Sequence, residues 1–174
     1  SLTLKSGDYI KKAGVVVVVL LFFAGAVVFG KQYLAEAFYE RSVLDYNQQN
    51  IDAALKNGLR ATTVFDSGDY YIGASQLCIL KASTLFNSNN ADSHKKEIQD
   101  LASQGEALAK LATKHEPQNY NTWYNLGLIY ENTSFLVSNK NKKALAAYSE
   151  AKKLAPYNFD VYYSLARIFE KQGD

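Results

Sequence analysis

The sequence predicts an all-α protein in which an N-terminal transmembrane helix continues into an α-solenoid of antiparallel helical hairpins. Three observations carry that prediction. The run AGVVVVVLLFFAGAVVFG, from Ala13 to Gly30, has no charge and is bracketed by Lys11, Lys12 and Lys31. Beyond it, apolar residues recur at helical spacing in stretches separated by short polar turns, and no strand candidate remains outside the valine run. The composition, 48% hydrophobic with two prolines and ten glycines in 174 residues, is that of an ordered chain able to form one domain plus a short appendage.

Residues 1–12 form an N-terminal flank, and 13–30 the transmembrane helix. A bilayer core needs about 20 apolar residues, whereas a buried strand rarely exceeds about 8, so the length favours a span. A cleaved signal peptide is the rival reading, with Lys11 and Lys12 as its basic part and Ala24-Gly25-Ala26 as the cleavage site. Against it, the apolar run continues through Phe29 and passes without a turn signal into KQYLAEAFYERSVLDYN. Lys5, Lys11 and Lys12 precede the span and Lys31 and Arg41 follow it, which weakly favours an extracytoplasmic, periplasmic-side location for the rest of the chain. The chain begins at Ser1 and contains no methionine, which reads as a fragment or a processed product; residues 171–174 stop in mid-unit.

After the span, helices are expected at 31–46, 51–65, 70–86, 93–115, 120–137, 142–154 and 159–172. The turns between them, NQQN, DSGD, NSNNADS, EPQN, SNKN and APYN, carry turn-forming residues, with Ser93 expected to cap the fourth helix. Residues 31–118 form less regular hairpins, and 119–174 a well-patterned unit plus the first helix of the next.

In this last region Trp123, Leu126, Gly127 and Tyr130, followed by Ala144, Tyr148, Ala151 and Pro156, resemble the tetratricopeptide repeat (TPR), a helix-turn-helix unit of about 34 residues. Tyr162, Leu165, Ala166 and Phe169 repeat the first-helix positions after Pro156, with Gly173 in the expected turn. Trp123 and Tyr162 are 39 residues apart, and the extra length falls around 135–141. Upstream, Ala112 and Pro117, and before them Ala54, Gly58 and Ala61, keep fragments of the pattern. Three hairpins and half of a fourth are expected, the small residues allowing close approach and the aromatic ones filling gaps between hairpins.

The resemblance implies a protein-interaction scaffold rather than an enzyme. No phosphate loop, HExxH, CxxC or nucleophile elbow is present, and no cofactor or metal is expected. His94 and His115 sit at opposite ends of one expected helix, about 30 Å apart. Cys78, within ASQLCIL, reads as a small buried hydrophobe. Asn132-Thr133-Ser134 spells a glycosylation sequon inside an expected helix, where chance explains it better. With a net charge of +2 and scattered lysines, no nucleic-acid surface is expected.

Such repeats bind protein or peptide partners in a groove built from their first helices. Asn121, Tyr124, Asn125, Leu128, Asp160, Tyr163 and Arg167 are the expected groove residues, unless they serve only packing or solvation. Family members that clamp a C-terminal carboxylate use lysine and asparagine where this chain has Tyr124 and Leu128, then Tyr163 and Arg167, so that mode is not expected. The second partner is the lipid bilayer. The apolar run leading through YLAEAFYERSVLDYNQQNIDAALKNGLRA into WYNLGLIYE also resembles the tails of bacterial O-antigen ligase or polymerase-type membrane proteins. That alternative implies glycan transfer from a lipid carrier by residues outside this chain, and no catalytic residue carries over.

Overall fold

The structure, a computed structural model, describes residues 2–134 and 140–172, with the side chains of 12–134 and 140–170. Most of the expected insertion at 135–141, and Gly173, lie outside the described residues. The elements are α1 (Leu2–Asn47), α2 (Ile51–Val64), α3 (Gly68–Phe86), a 3₁₀ turn (Ala91–His94), α4 (Lys95–His115), α5 (Tyr120–Asn132), α6 (Lys140–Leu154) and α7 (Phe159–Gln172).

The apolar run and the first solenoid helix are one helix, α1, of 46 residues. At about 1.5 Å per residue it is about 70 Å long. From Val15 to Phe29 its large side chains are exposed, and nothing packs around Gly14, Gly25 or Gly30. By length and composition this is the one helix among the described residues able to cross a membrane. Burial begins at Ala35, which is fully covered with Ala61 and Tyr70.

The amide of Asn50 donates to the Asp45 carbonyl and that of Gln49 to Tyr46, which closes α1 in a Schellman turn. Gln49 holds the left-handed position of this turn, with φ 62°, where glycine is the usual occupant. Asn50 then caps α2 through its side chain, which accepts from the Ala53 amide. Hairpin α1–α2 is locked by Ser42, whose hydroxyl donates to the Ala54 carbonyl at 2.7 Å, and by buried Asp45, which accepts from Asn57 at 2.8 Å.

α3 pairs with α4 and α5 with α6, while α2, α4 and α6 each pack also on the first helix of the following hairpin. One core cluster joins α2, α3 and α4 through Ala54, Tyr71, Leu77, Cys78 and Leu108; another joins α4 to α7 through Ala109, Leu126, Ile129, Tyr148 and Ile168. Cys78 is fully buried, and burial pushes its thiol up to about 12, the environment of a packing residue rather than a nucleophile.

The two well-patterned turns are built alike. Asn119 and Asn158 each cap the next helix, accepting from the Asn121 and Asp160 amides at 3.0 Å. Six residues after each proline, Trp123 and Tyr162 donate back to the Pro117 and Pro156 carbonyls at 2.9 and 2.8 Å. Gly127 lies against the fully buried ring of Tyr148, where a Cβ would come within 2.4 Å of the ring. Glycine is therefore required there by contact.

Two expectations change. Ser93 does not cap α4; it sits in the 3₁₀ turn and its hydroxyl donates to the Asn90 carbonyl. The NSNNADS run has enough local hydrogen-bonding side chains to form a separate turn first. Helix α5 ends at Asn132 rather than near 137, with Thr133 at its end donating to the Ile129 carbonyl. The sequon therefore begins at an exposed helix terminus, not within a helix.

Candidate functional site

The first helices α1, α3, α5 and α7 touch one another in succession. The Tyr39 and Tyr70 rings join α1 to α3 at 5.2 Å, and Tyr70 donates to Glu36 at 2.6 Å. Asn125 joins α5 to α3: its amide nitrogen donates to Ser75 at 2.9 Å and its oxygen accepts from Gln76 at 3.0 Å. Tyr124 reaches Ser164 at 3.4 Å, joining α5 to α7.

A buried ion pair reinforces this last contact. Glu131 accepts from Arg167 Nε at 2.8 Å and Nη2 at 2.7 Å, and from the Tyr148 hydroxyl at 3.0 Å. Its side chain is 5% exposed, that of Arg167 34%. The hydrogen bonds from Arg167 to Glu131 hold the guanidinium even more firmly protonated than usual. Burial, and then the Glu131 charge, push the Tyr148 phenol upward. This arrangement binds α5, α6 and α7 together.

The seven expected groove residues thus divide. Asn121, Asp160 and Tyr163 are exposed, and Tyr163 stacks on Phe159. Tyr124 and Leu128 are half-buried against the core cluster containing Tyr148. Asn125, 2% exposed, has no surface to offer a partner, and Arg167 is engaged by Glu131. Glu131 escaped the sequence reading although it lies on the same stripe, seven residues after Tyr124 and three after Leu128.

The same face also holds a pocket that the sequence reading missed. Between α1 and α3, Tyr39, Val43, Tyr46, Gly73, Leu77 and Leu80, with Ser42 and Gln76, enclose about 340 Å³. Its periodic signal, Tyr39, Val43 and Tyr46 on one helical stripe, is visible in the sequence but merges with the repeat pattern.

Away from this face, a second cavity of about 360 Å³ is polar, with Gln99, Asp100, Ser103, Glu106, Thr133 and Lys140 in its wall. Glu106 accepts from Lys110 at 2.7 Å and also pairs with Lys140. Burial raises Glu106, but the two lysines outweigh that and hold its carboxyl below the usual range. His94 pairs with Glu97, while His115 lies against Tyr71 and Asp66, so the two histidines have separate surroundings. Among the described residues no group of three or more His, Cys, Asp or Glu side chains is placed to hold a metal.

No protein-family model matches the sequence, and no curated protein matches it significantly. Solved structures do match. The Arabidopsis OM64 TPR domain aligns with a TM-score of 0.62 at 15% identity, over 81% of this chain and 98% of that one. The first TPR domain of Spaghetti (RPAP3), bound to an HSP90 peptide, aligns at 0.61 and 12% identity, over 82% and 98%. MamA aligns at 0.58 and 14% identity, over 80% and 68%. The described helices of this chain, in order and packing, have the TPR fold.

Proposed function

We propose that this chain is a membrane-anchored interaction scaffold, non-catalytic in itself, whose first helices bind a protein or peptide partner. The observation that carries this reading is α1, in which an exposed apolar run continues without a break into the first helix of the stacked hairpins. An apolar stretch of that length, left uncovered, is stable in lipid and costly in water. Structural neighbours of the same fold include one that holds a peptide, which supports a peptide-binding role for this face.

In this reading Asn121, Tyr124, Leu128, Asp160 and Tyr163 belong to the partner face, and Asn125 and Arg167 fix the spacing of the helices beneath it. The lysine balance favours an extracytoplasmic location for residues 31–174. No observation favours the glycan-transfer alternative over this one.

The test has two arms on the full chain in native membranes. Alkaline carbonate extraction should leave the chain in the membrane pellet; release, or cleavage near residues 24–26, refutes the anchor. A photoreactive residue at position 163 should crosslink a discrete protein, and one at exposed Ser149 of α6 should not. Equal labelling at both positions refutes the partner face.

A further inference from the structure

We propose that the pocket between α1 and α3 takes one bulky apolar side chain of an extended partner segment, and that Glu36 and Asp69 receive a lysine or arginine next to it. This rests on the scaffold reading and adds the chemistry of the partner.

The pocket's size and walls define the apolar half. Its volume of about 340 Å³ is at the lower end of the roughly 300–1,000 Å³ of ligand pockets, enough for a single large side chain. Val43, Tyr46 and Leu80 converge on it while remaining 44%, 50% and 36% exposed. Gly73 lets the Tyr39 ring lie against the backbone of α3, since a Cβ there would come within 2.9 Å of Tyr39 Cε2. Burying the three exposed side chains and the incoming one supplies the driving force.

Charge defines the other half. Glu36 accepts from Tyr70, whose ring lies 5.2 Å from that of Tyr39, and Asp69 stands one helical turn before Gly73, so both carboxylates flank the Tyr39 wall of the pocket; after burial, both also raise the Tyr39 phenol. On these two helices Arg41 is paired with Asp45 at 3.2 Å and Lys81 with Asp52 at 2.8 Å and Glu97 at 3.2 Å, while Lys31, five residues before Glu36, lies about 140° round α1 from it. A cation is therefore attracted to this end and an acidic segment repelled.

The probes are three fluorescein-labelled twelve-residue peptides, Gly-Ser throughout except for a central Phe-Lys, Phe-Glu or Ser-Lys pair. They are titrated by anisotropy into the full chain in non-ionic detergent micelles. Phe-Lys should saturate and bind about tenfold more tightly than Phe-Glu or Ser-Lys. In the double variant Glu36→Gln, Asp69→Asn, the preference for Lys over Glu should fall to within about twofold; the glutamine still accepts from Tyr70. Leu80→Gln should weaken Phe-Lys about fivefold.

Equal or tighter binding of Phe-Glu overturns the proposal, as does a preference that survives in the double variant. Phe-Lys binding that responds to Tyr163→Ala but not to Leu80→Gln removes the pocket and keeps the partner face. If none of the peptides binds, the proposal falls alone where position 163 still gives its crosslink, and the scaffold reading falls with it where that crosslink is also lost.

Discussion

Separating Glu131 from Arg167 should destabilise the C-terminal end of the stack, and unequally from the two sides. Arg167→Met leaves a carboxylate that is 5% exposed without its two guanidinium hydrogen bonds. Breaking a buried pair costs about 3–5 kcal/mol. Because Arg167 is itself 34% exposed, water already screens part of the interaction, and about 3 kcal/mol is expected. Glu131→Leu should cost less, about 2 kcal/mol, because the guanidinium can turn to water and the main loss is the acceptor of the buried Tyr148 hydroxyl. The double variant should cost about 3 kcal/mol rather than the additive 5, a coupling of about 2 kcal/mol. Urea unfolding of the full chain in micelles, followed by fluorescence of Trp123, the single tryptophan, reads all three. Additivity within 0.5 kcal/mol, or a larger loss from Glu131→Leu, would refute the role given to this pair.

Three further outcomes are expected. Gly127→Ala should destabilise by about 2 kcal/mol despite gaining about 1 kcal/mol in helix propensity, because its methyl group meets the anchored Tyr148 ring; a thermal midpoint at or above that of the parent chain would contradict this. Gln49→Gly should stabilise by about 0.5–1 kcal/mol by relieving the left-handed backbone, and an unchanged urea midpoint would argue against strain at that turn. Glu106 is held below the usual carboxylate range, so its contribution is present at neutral pH and lost as the pH falls through that range, below about pH 4. Glu106→Gln should flatten the acid side of the stability profile, and an unchanged acid slope would show that Lys110 and Lys140 contribute nothing there.

The hairpin order was legible in the sequence because it rests on local signals. Asn50, Asn119 and Asn158 mark helix starts, and the prolines mark turns, through contacts within six residues. The small residues Ala54, Gly127, Ala144 and Ala151 signalled close helix contacts for the same reason. The surface was less legible because it depends on partners distant in the chain. Asn125 finds Ser75 fifty residues away, and Arg167 finds Glu131 at a separation of 36. Periodicity placed both on the right stripe but cannot say which neighbour consumes a side chain. The α1–α3 pocket shows the same limit: Tyr39 and Gly73, 34 residues apart, carry no signal of a cavity until their helices are side by side. At the end of α5, apolar Phe135 and Val137 suggested continued helix, whereas Thr133 already terminates it.

The unbroken course of α1 gives the scaffold a fixed bearing. Under the proposed anchoring, and with no joint before Ala35, the direction in which the first helices face would be geared to the rotation of the apolar run. Inserting one residue between Gly30 and Ala35 would swing the whole stack by about 100° while lifting it only about 1.5 Å. Inserting a full turn of about four residues would nearly restore the bearing and raise the stack by about 6 Å. Partner access would then vary with helical phase rather than with tether length, which is the behaviour of a shaft and not of a leash.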